Sequence, residues 1–231
     1  MPHSRTHHSS TLGRLPLLGH LGWLRGAFGA LLGIGCAAGV GWLLLGHDGS
    51  WPWLVAPLGA SAVLVFAIPA SPLAQPWPVI GGDLLSATIG FGMAHLLGAG
   101  PLACALAVGL AIAAMSAARC LHPPGGACAL LGPLGAGHAL AWEGGFIVTL
   151  ALGLAVLMLV GWLYNGLTGH PWPHRPVAVP AAAPQAFYDR ADLDAVLADW
   201  DEVLDVDRDD LHALFQAVER RALSRIKPPA S

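Results

Sequence analysis

Charge is what this sequence has least of. Between Gly26 and Gly169 the only charged residues are Asp48, Asp83, Arg119 and Glu143. A soluble core of 144 residues with four charges would have no surface to show to water, which excludes a soluble globular domain over that range. No acid occurs among residues 1–25, and eleven of the fourteen acids lie beyond residue 188. The net charge of −3 therefore averages two chemically different regions. Nucleophile elbow, phosphate loop and HExxH pattern are all missing, so no catalytic residue, cofactor or metal site is assigned. The aspartates of Asp205-Val206-Asp207-Arg208-Asp209-Asp210 do not make a calcium loop, because the glycine and the closing glutamate such a loop needs are replaced by Asp210 and Gln216. Only four cysteines occur, Cys36, Cys104, Cys120 and Cys128; they fall in apolar segments without metal spacing and read as packing residues. No nucleic-acid partner is implied.

What is present is long apolar sequence. A crossing needs about 20 apolar residues to cover roughly 30 Å of hydrocarbon. Gly26–Leu45 is a first span, with Gly29, Gly33, Gly35 and Gly39 spaced for close helix approach. Leu54–Ala70 follows, interrupted by Pro57 and Gly59, and Ser71–Pro78 reads as a loop. Leu84–Gly98, Leu102–Ala118 and Phe146–Tyr164 are further spans, while Ala127–Leu134 is too short to cross alone. The predicted fold class is all-α: a polytopic membrane helical bundle of about six crossings with a short C-terminal helical pair. The domains are a cytoplasmic tail over 1–25, a membrane domain over 26–169, a Pro/Ala linker over 170–188 and an acidic amphipathic tail over 189–231.

The chain joins a titratable ring to a helix breaker at Cys120-Leu121-His122-Pro123-Pro124-Gly125-Gly126-Ala127-Cys128. Pro-Pro-Gly-Gly cannot continue a helix, and bare backbone at bilayer depth is tolerated only where protein buries it or a cavity hydrates it. A second break has the same spelling. Pro57-x-Gly59-Ala60-x-Ala62-x-Leu64 matches Pro124-x-Gly126-Ala127-x-Ala129-x-Leu131. Each is followed by Pro-Leu, at Pro72-Leu73 and Pro133-Leu134, and then by Gly-Gly-x-x-x-Ser/Thr, at Gly81–Ser86 and Gly144–Thr149. Three helices per copy is an odd number, so the copies would have opposite topology, a 3+3 inverted repeat as in many secondary transporters. The positive-inside rule places Arg5, Arg14, Arg25, Arg119 and Arg175 in the cytoplasm after six crossings, with both termini inside.

The candidate substrate-binding or permeation residues are those of the two breaks: Pro57, Gly59, Ala60, Ser61, His122, Pro123, Pro124, Gly125, Gly126, Ala127 and Cys128. Helix starts near Gly59 and Gly126 present N–H groups and positive dipole ends. Meeting near the midplane, they would suit a small anion, with Ser61 and His122 as added donors. Replacing Gly59 or Gly126 with Leu is then expected to abolish transport. Scarce acids weigh against a cation, and Arg119 is assigned an interface-anchoring role. The apolar positions of the tail need a partner surface, so a homo-oligomer is expected.

The motif His122-Pro123-Pro124, together with Ala56-Pro57-Leu58-Gly59-Ala60-Ser61-Ala62, Pro69-Ala70-Ser71-Pro72-Leu73-Ala74-Gln75-Pro76 and Val79-Ile80-Gly81-Gly82, resembles the HPP family of integral membrane proteins over roughly residues 20–169. The resemblance implies a membrane domain usually described as four helices, and a transport function. Plant and cyanobacterial relatives are associated with nitrite transport. Many bacterial relatives carry nucleotide-sensing CBS domains after an acidic segment like Asp189–Arg225; this sequence stops at Ser231, so gating by such domains is not expected. The expected function is a transporter or channel for a small anion, nitrite or nitrate leading, in a bacterial inner membrane. The alternatives are a non-transporting scaffold that recruits a partner through the acidic tail, and a facilitator for a small neutral solute.

Overall fold

The computed structural model describes residues 22–45, 52–135, 142–175, 189–200 and 204–226. Residues 1–21, Asp48, Trp51, most of the linker and the side chain of Glu143 lie outside the described set. Among the described residues are eight α-helices and no strand: α1 Gly22–Leu45, α2 Pro57–Ala67, α3 Pro76–Leu97, α4 Pro101–Ala117, α5 Pro123–Gly135, α6 Trp142–Leu167, α7 Arg190–Trp200 and α8 Arg208–Ile226. The fold is an all-helical membrane bundle.

Prolines set the helix starts. Each of α2, α3, α4 and α5 begins on one, where the missing N–H is no loss and the fixed φ suits the first turn. This corrects two expectations. Pro76-Trp77-Pro78 is the first turn of α3, not loop, so that helix begins eight residues before Leu84. Pro-Pro-Gly-Gly interrupts the chain only upstream of Pro123; from there it is the opening of α5. At 1.5 Å per residue, α2 and α5 extend about 16 and 20 Å, too little to cross alone. Among the described residues, only α1, α3 and α6 are long and apolar enough by themselves.

Side-chain ties fix which helix ends lie together. Arg25, near the start of α1, donates to Phe66 O at the end of α2 (2.7 Å) and to Asn165 Oδ1 near the end of α6 (2.9 Å). Tyr164 Oη donates to Arg25 O, and Trp77 at the start of α3 donates through Nε1 to Ala118 O after α4. At the other end Thr149 Oγ1, early in α6, donates to Pro52 O. The six helices therefore alternate in direction between two ends, and Arg25, Arg119 and Arg175 share one of them.

The helix pairings also bear on the repeat. Exchange α1 with α4, α2 with α5 and α3 with α6, and the set of contacting pairs maps onto itself. The pairing α1–α6 becomes α3–α4, α1–α2 becomes α4–α5, and α2–α6 becomes α3–α5, while α2–α5 and α3–α6 are unchanged. Random recurrence of Gly and Ala would not reproduce a packing graph.

The tail helices are tied to each other by Arg190–Asp209 and Arg208–Asp194, and α8 is capped by Asp207, whose Oδ1 accepts from Asp209 N. They touch the membrane domain at the Arg25 end, through Asp205 on Ser71 and Asp210 on His174 (2.5 Å).

Candidate functional site

The α4–α5 turn delivers His122. Helix α4 ends with Cys120 N–H on Met115 O (2.8 Å) and Arg119 in the left-handed region at φ 54°. This is a Schellman-type close with Arg where Gly is usual, and Cys120 packs back on Met115. The chain then passes hard against α3. A Cβ on Gly82 would lie 2.5 Å from His122 Cβ and 2.8 Å from Cys120 O, so only glycine admits the turn here.

There His122 is fully buried between two partners. Its Nδ1 lies 2.8 Å from Leu73 O, and its Nε2 lies 3.0 Å from Ser61 Oγ. Ser61 Oγ lies 2.8 Å from Asp83 Oδ2, whose carboxylate also neighbours the Cys128 thiol. Asp83 and His122 are 3.8 Å apart at their nearest atoms. Asp83, Ser61, Ser86 and His122 are all at 0 % exposure. Two polar atoms in this cluster have no partner, Asp83 Oδ1 and Ser86 Oγ. A buried polar group left unpaired is destabilising by about 1–3 kcal/mol. Ser86 Oγ faces the first turn of α5, 2.7 Å from where a Cβ on Gly125 would stand.

Of the residues picked from sequence, the structure brings Ser61, His122, Gly125 and Cys128 together, with Pro57 and Pro124 buried beside them. Gly59, Ala60, Pro123 and Ala127 are instead exposed, and a Cβ on Gly59 or Gly126 meets nothing within 4 Å. Nor do the helix starts offer rows of free donors. Pro57, Pro123 and Pro124 have no N–H, Leu58 and Gly59 N–H go to Val55 O and Ala56 O, and Gly125 N–H goes to His122 O. Arg119 is exposed, away from the cluster. The cluster is also off centre. Asp83 lies about 10 Å along α3 from its Arg25 end, nearer a third of the way than half.

Sequence reasoning missed Asp83, Ser86, Gly82 and the carbonyl of Leu73. The signal for Asp83 was its type, since an ionisable residue inside a span is a site candidate by default. The repeat register adds a contrast. Ser61 corresponds to Cys128, but His122 corresponds to Val55 and Asp83 to Phe146, both buried in the apolar core. The cluster draws on both halves, Asp83 from the first and His122 from the second, while the equivalent place across the repeat, with Val55, Phe146 and Thr149, lacks both the imidazole and the carboxylate. Two clefts lie elsewhere, one lined by Trp162, Leu167 and Pro171–Arg175, another by Arg25, Ser71, His170 and Asp205. The cluster is closed in this conformation.

Comparison with known proteins fits this architecture. The chain is 38 % identical over 119 residues to one transmembrane protein of Dictyostelium discoideum and 36 % identical over 124 residues to another. These matches take in 49 % and 51 % of this chain but only 38 % and 43 % of the relatives, so the chain spans less than half the length of the curated proteins it matches. No solved structure matches. The family model described as "HPP, transmembrane region" matches residues 16–173, two thirds of the sequence including every residue of the cluster, and the chain belongs to that family.

Proposed function

We propose that this protein is a transporter or channel for a small anion, with nitrite or nitrate the leading candidates, and that the solute is handled at Ser61, Asp83, Ser86 and His122. The observation that carries the reading is a fully buried polar cluster with two unpartnered atoms, at the seam where the two short helices meet α3. Orphaned polar atoms in a membrane core are destabilising, and a passing oxyanion would satisfy Ser86 Oγ by accepting from it. A single carboxylate does not make a cation cage: no group of three His, Cys, Asp or Glu able to hold a metal occurs among the described residues. The unpartnered Ser86 hydroxyl is a donor and suits an oxyanion. The closed cluster suits alternating access between repeats. On this reading the protein sits in a bacterial inner membrane as a homo-oligomer, with both tails in the cytoplasm, lipid around it and no cofactor.

Asp83 itself favours a second reading, a facilitator for a small neutral solute, because a carboxylate repels an anion. Two like charges about 5 Å apart at an effective dielectric near 20 cost roughly 3 kcal/mol. Flux in proteoliposomes separates the two. Nitrite or nitrate uptake above protein-free vesicles supports the anion; glycerol or urea uptake with none of either anion overturns it in favour of the neutral solute.

A further inference from the structure

We propose that Asp83, Ser61 and His122 form a proton-binding chain that makes anion passage proton-linked, one proton travelling with each anion; this rests on the anion reading above. The argument is a count of hydrogens. Leu73 O can only accept, so the 2.8 Å contact makes His122 Nδ1 a donor. In a neutral imidazole Nε2 is then an acceptor. Ser61 has one hydroxyl hydrogen, yet its oxygen is 3.0 Å from that acceptor and 2.8 Å from Asp83 Oδ2. With an ionised carboxylate and a neutral ring, one of these two contacts brings acceptor to acceptor. A single extra proton satisfies both.

That proton has two placements. On Asp83, the carboxyl donates to Ser61 and Ser61 donates to Nε2. On His122, Nε2 donates to Ser61 and Ser61 donates to the carboxylate. The forms interconvert when Asp83 Oδ2–H passes its proton to Ser61 Oγ while the Ser61 proton passes to Nε2. Two O–H bonds break, one O–H and one N–H form, and no electron changes hands. Either form leaves the cluster with no net charge.

Among the described residues the surroundings supply no competing charge. From α5 and the turn before it the titratable groups are the thiols of Cys128 and Cys120; α4 offers Met115, and α6 adds Phe146 and Leu150 to the adjoining core. Arg25 is committed to Phe66 O and Asn165, and Arg119 is exposed. An anion taken up beside Ser86 therefore meets either a neutral cluster or, if the proton has gone, a bare Asp83 carboxylate. At roughly 5 Å that difference is on the order of 10²-fold in anion binding, enough to make the proton-linked route dominate.

The test uses the full-length protein in vesicles with a trapped pH dye, driven by an inward gradient of nitrate or of nitrite. Nitrate forms no neutral acid near neutral pH, so it removes the leak of the undissociated acid. The expected result is luminal acidification at one proton per anion, uptake that is insensitive to an imposed potential, and uphill accumulation when the outside is acid. Asp83→Asn is expected to abolish proton movement and flatten the pH dependence of any residual flux. Wild-type flux without acidification, or flux that follows the potential, overturns the proton chain and leaves the anion reading standing. Flux of neither anion overturns both. The wild-type measurement decides the matter even if Asp83→Asn does not fold.

Discussion

Replacing Gly90 with alanine should separate α3 from α5. A Cβ on Gly90 would stand 2.2 Å from Ala129 O and 2.8 Å from its carbonyl carbon, and one on Gly132 would stand 2.5 Å from Gly90 O. Contacts under 3.0 Å essentially never occur, so the helices must part by at least about 0.8 Å, and by about 1.2 Å to reach an ordinary 3.4 Å contact. The obstacle is backbone and cannot swing aside. Overpacking of this kind costs about 1–3 kcal/mol, and the upper end applies. Helix propensity returns up to about 1 kcal/mol when Gly becomes Ala, leaving roughly 2 kcal/mol net. At about 2–4 °C per kcal/mol for a chain of this size, the midpoint should fall by roughly 4–8 °C. Gly92→Ala is the matched control, two residues along the same helix with nothing within 4 Å, and should be neutral or slightly stabilising. Thermal melts in detergent, followed by size-exclusion chromatography of the surviving peak, give both midpoints. Equal midpoints for the two variants would refute the packing described for α3 and α5.

Gly125→Ala should reduce anion flux at least tenfold and cost about 1–3 kcal/mol of stability, because its Cβ would stand 2.7 Å from Ser86 Oγ, 2.9 Å from Met115 Sδ and 3.0 Å from Gly82 O. Gly59→Leu and Gly126→Leu should transport normally, reversing the expectation from sequence; loss of flux in either would return the site to the outer helix faces. A cysteine at Ala70 or His170, both exposed at the Arg25 end, on a cysteine-free background should react only with reagents that reach the cytoplasm, and labelling from outside intact cells would remove the proposed orientation. Deleting residues 189–231 uncovers the Arg25 end and removes the exposed apolar face of α8, Leu214 and Val218 among it; a drop in oligomer mass by native mass spectrometry is expected, and an unchanged mass speaks against tail-mediated assembly.

Much of the fold was legible because bilayer depth demands long apolar runs and the absence of charge is unambiguous. The repeat was legible from Pro57–Leu64 and Pro124–Leu131, since both copies keep the proline that starts a short helix. Helix boundaries were harder: Pro76 and Pro123 read as breakers in a one-dimensional pass, whereas a proline in a first turn is a starter. The site was half legible. His122 and Ser61 announced themselves as polar groups at breaks, but the contact that matters is with Asp83, 22 positions from Ser61 and 39 from His122, and only the α2–α3–α5 packing brings the three together. Which glycines face inward was not legible either. Gly125 and Gly126 are neighbours in sequence but point about 100° apart around α5, so one borders Ser86 and the other open space.

The two equivalent places across the repeat are unequal, and that gives the sharpest reason to assign the cluster to function. Val55 and Phe146 occupy the positions that His122 and Asp83 occupy in the other half, and they fill them with buried apolar side chains. The same frame thus tolerates apolar residues at both places. Buried ion pairs are generally neutral or stabilising to replace with apolar groups of similar volume, by up to about 1–4 kcal/mol, whereas removing one partner is destabilising by about 3–5 kcal/mol. The double variant Asp83→Leu with His122→Val copies the apolar chemistry of the equivalent positions Phe146 and Val55, and Ser61 retains Pro57 O as a weak acceptor at 3.4 Å. It should melt within a few degrees of wild type, or above it, while anion flux disappears. His122→Val alone should melt lower than the double variant, because it leaves the buried Asp83 carboxylate without the imidazole. A double variant that melts as low as the single, or fails to insert, would show that the polar cluster is there to hold the helices together, and the case for a solute site at Asp83 and His122 would be lost.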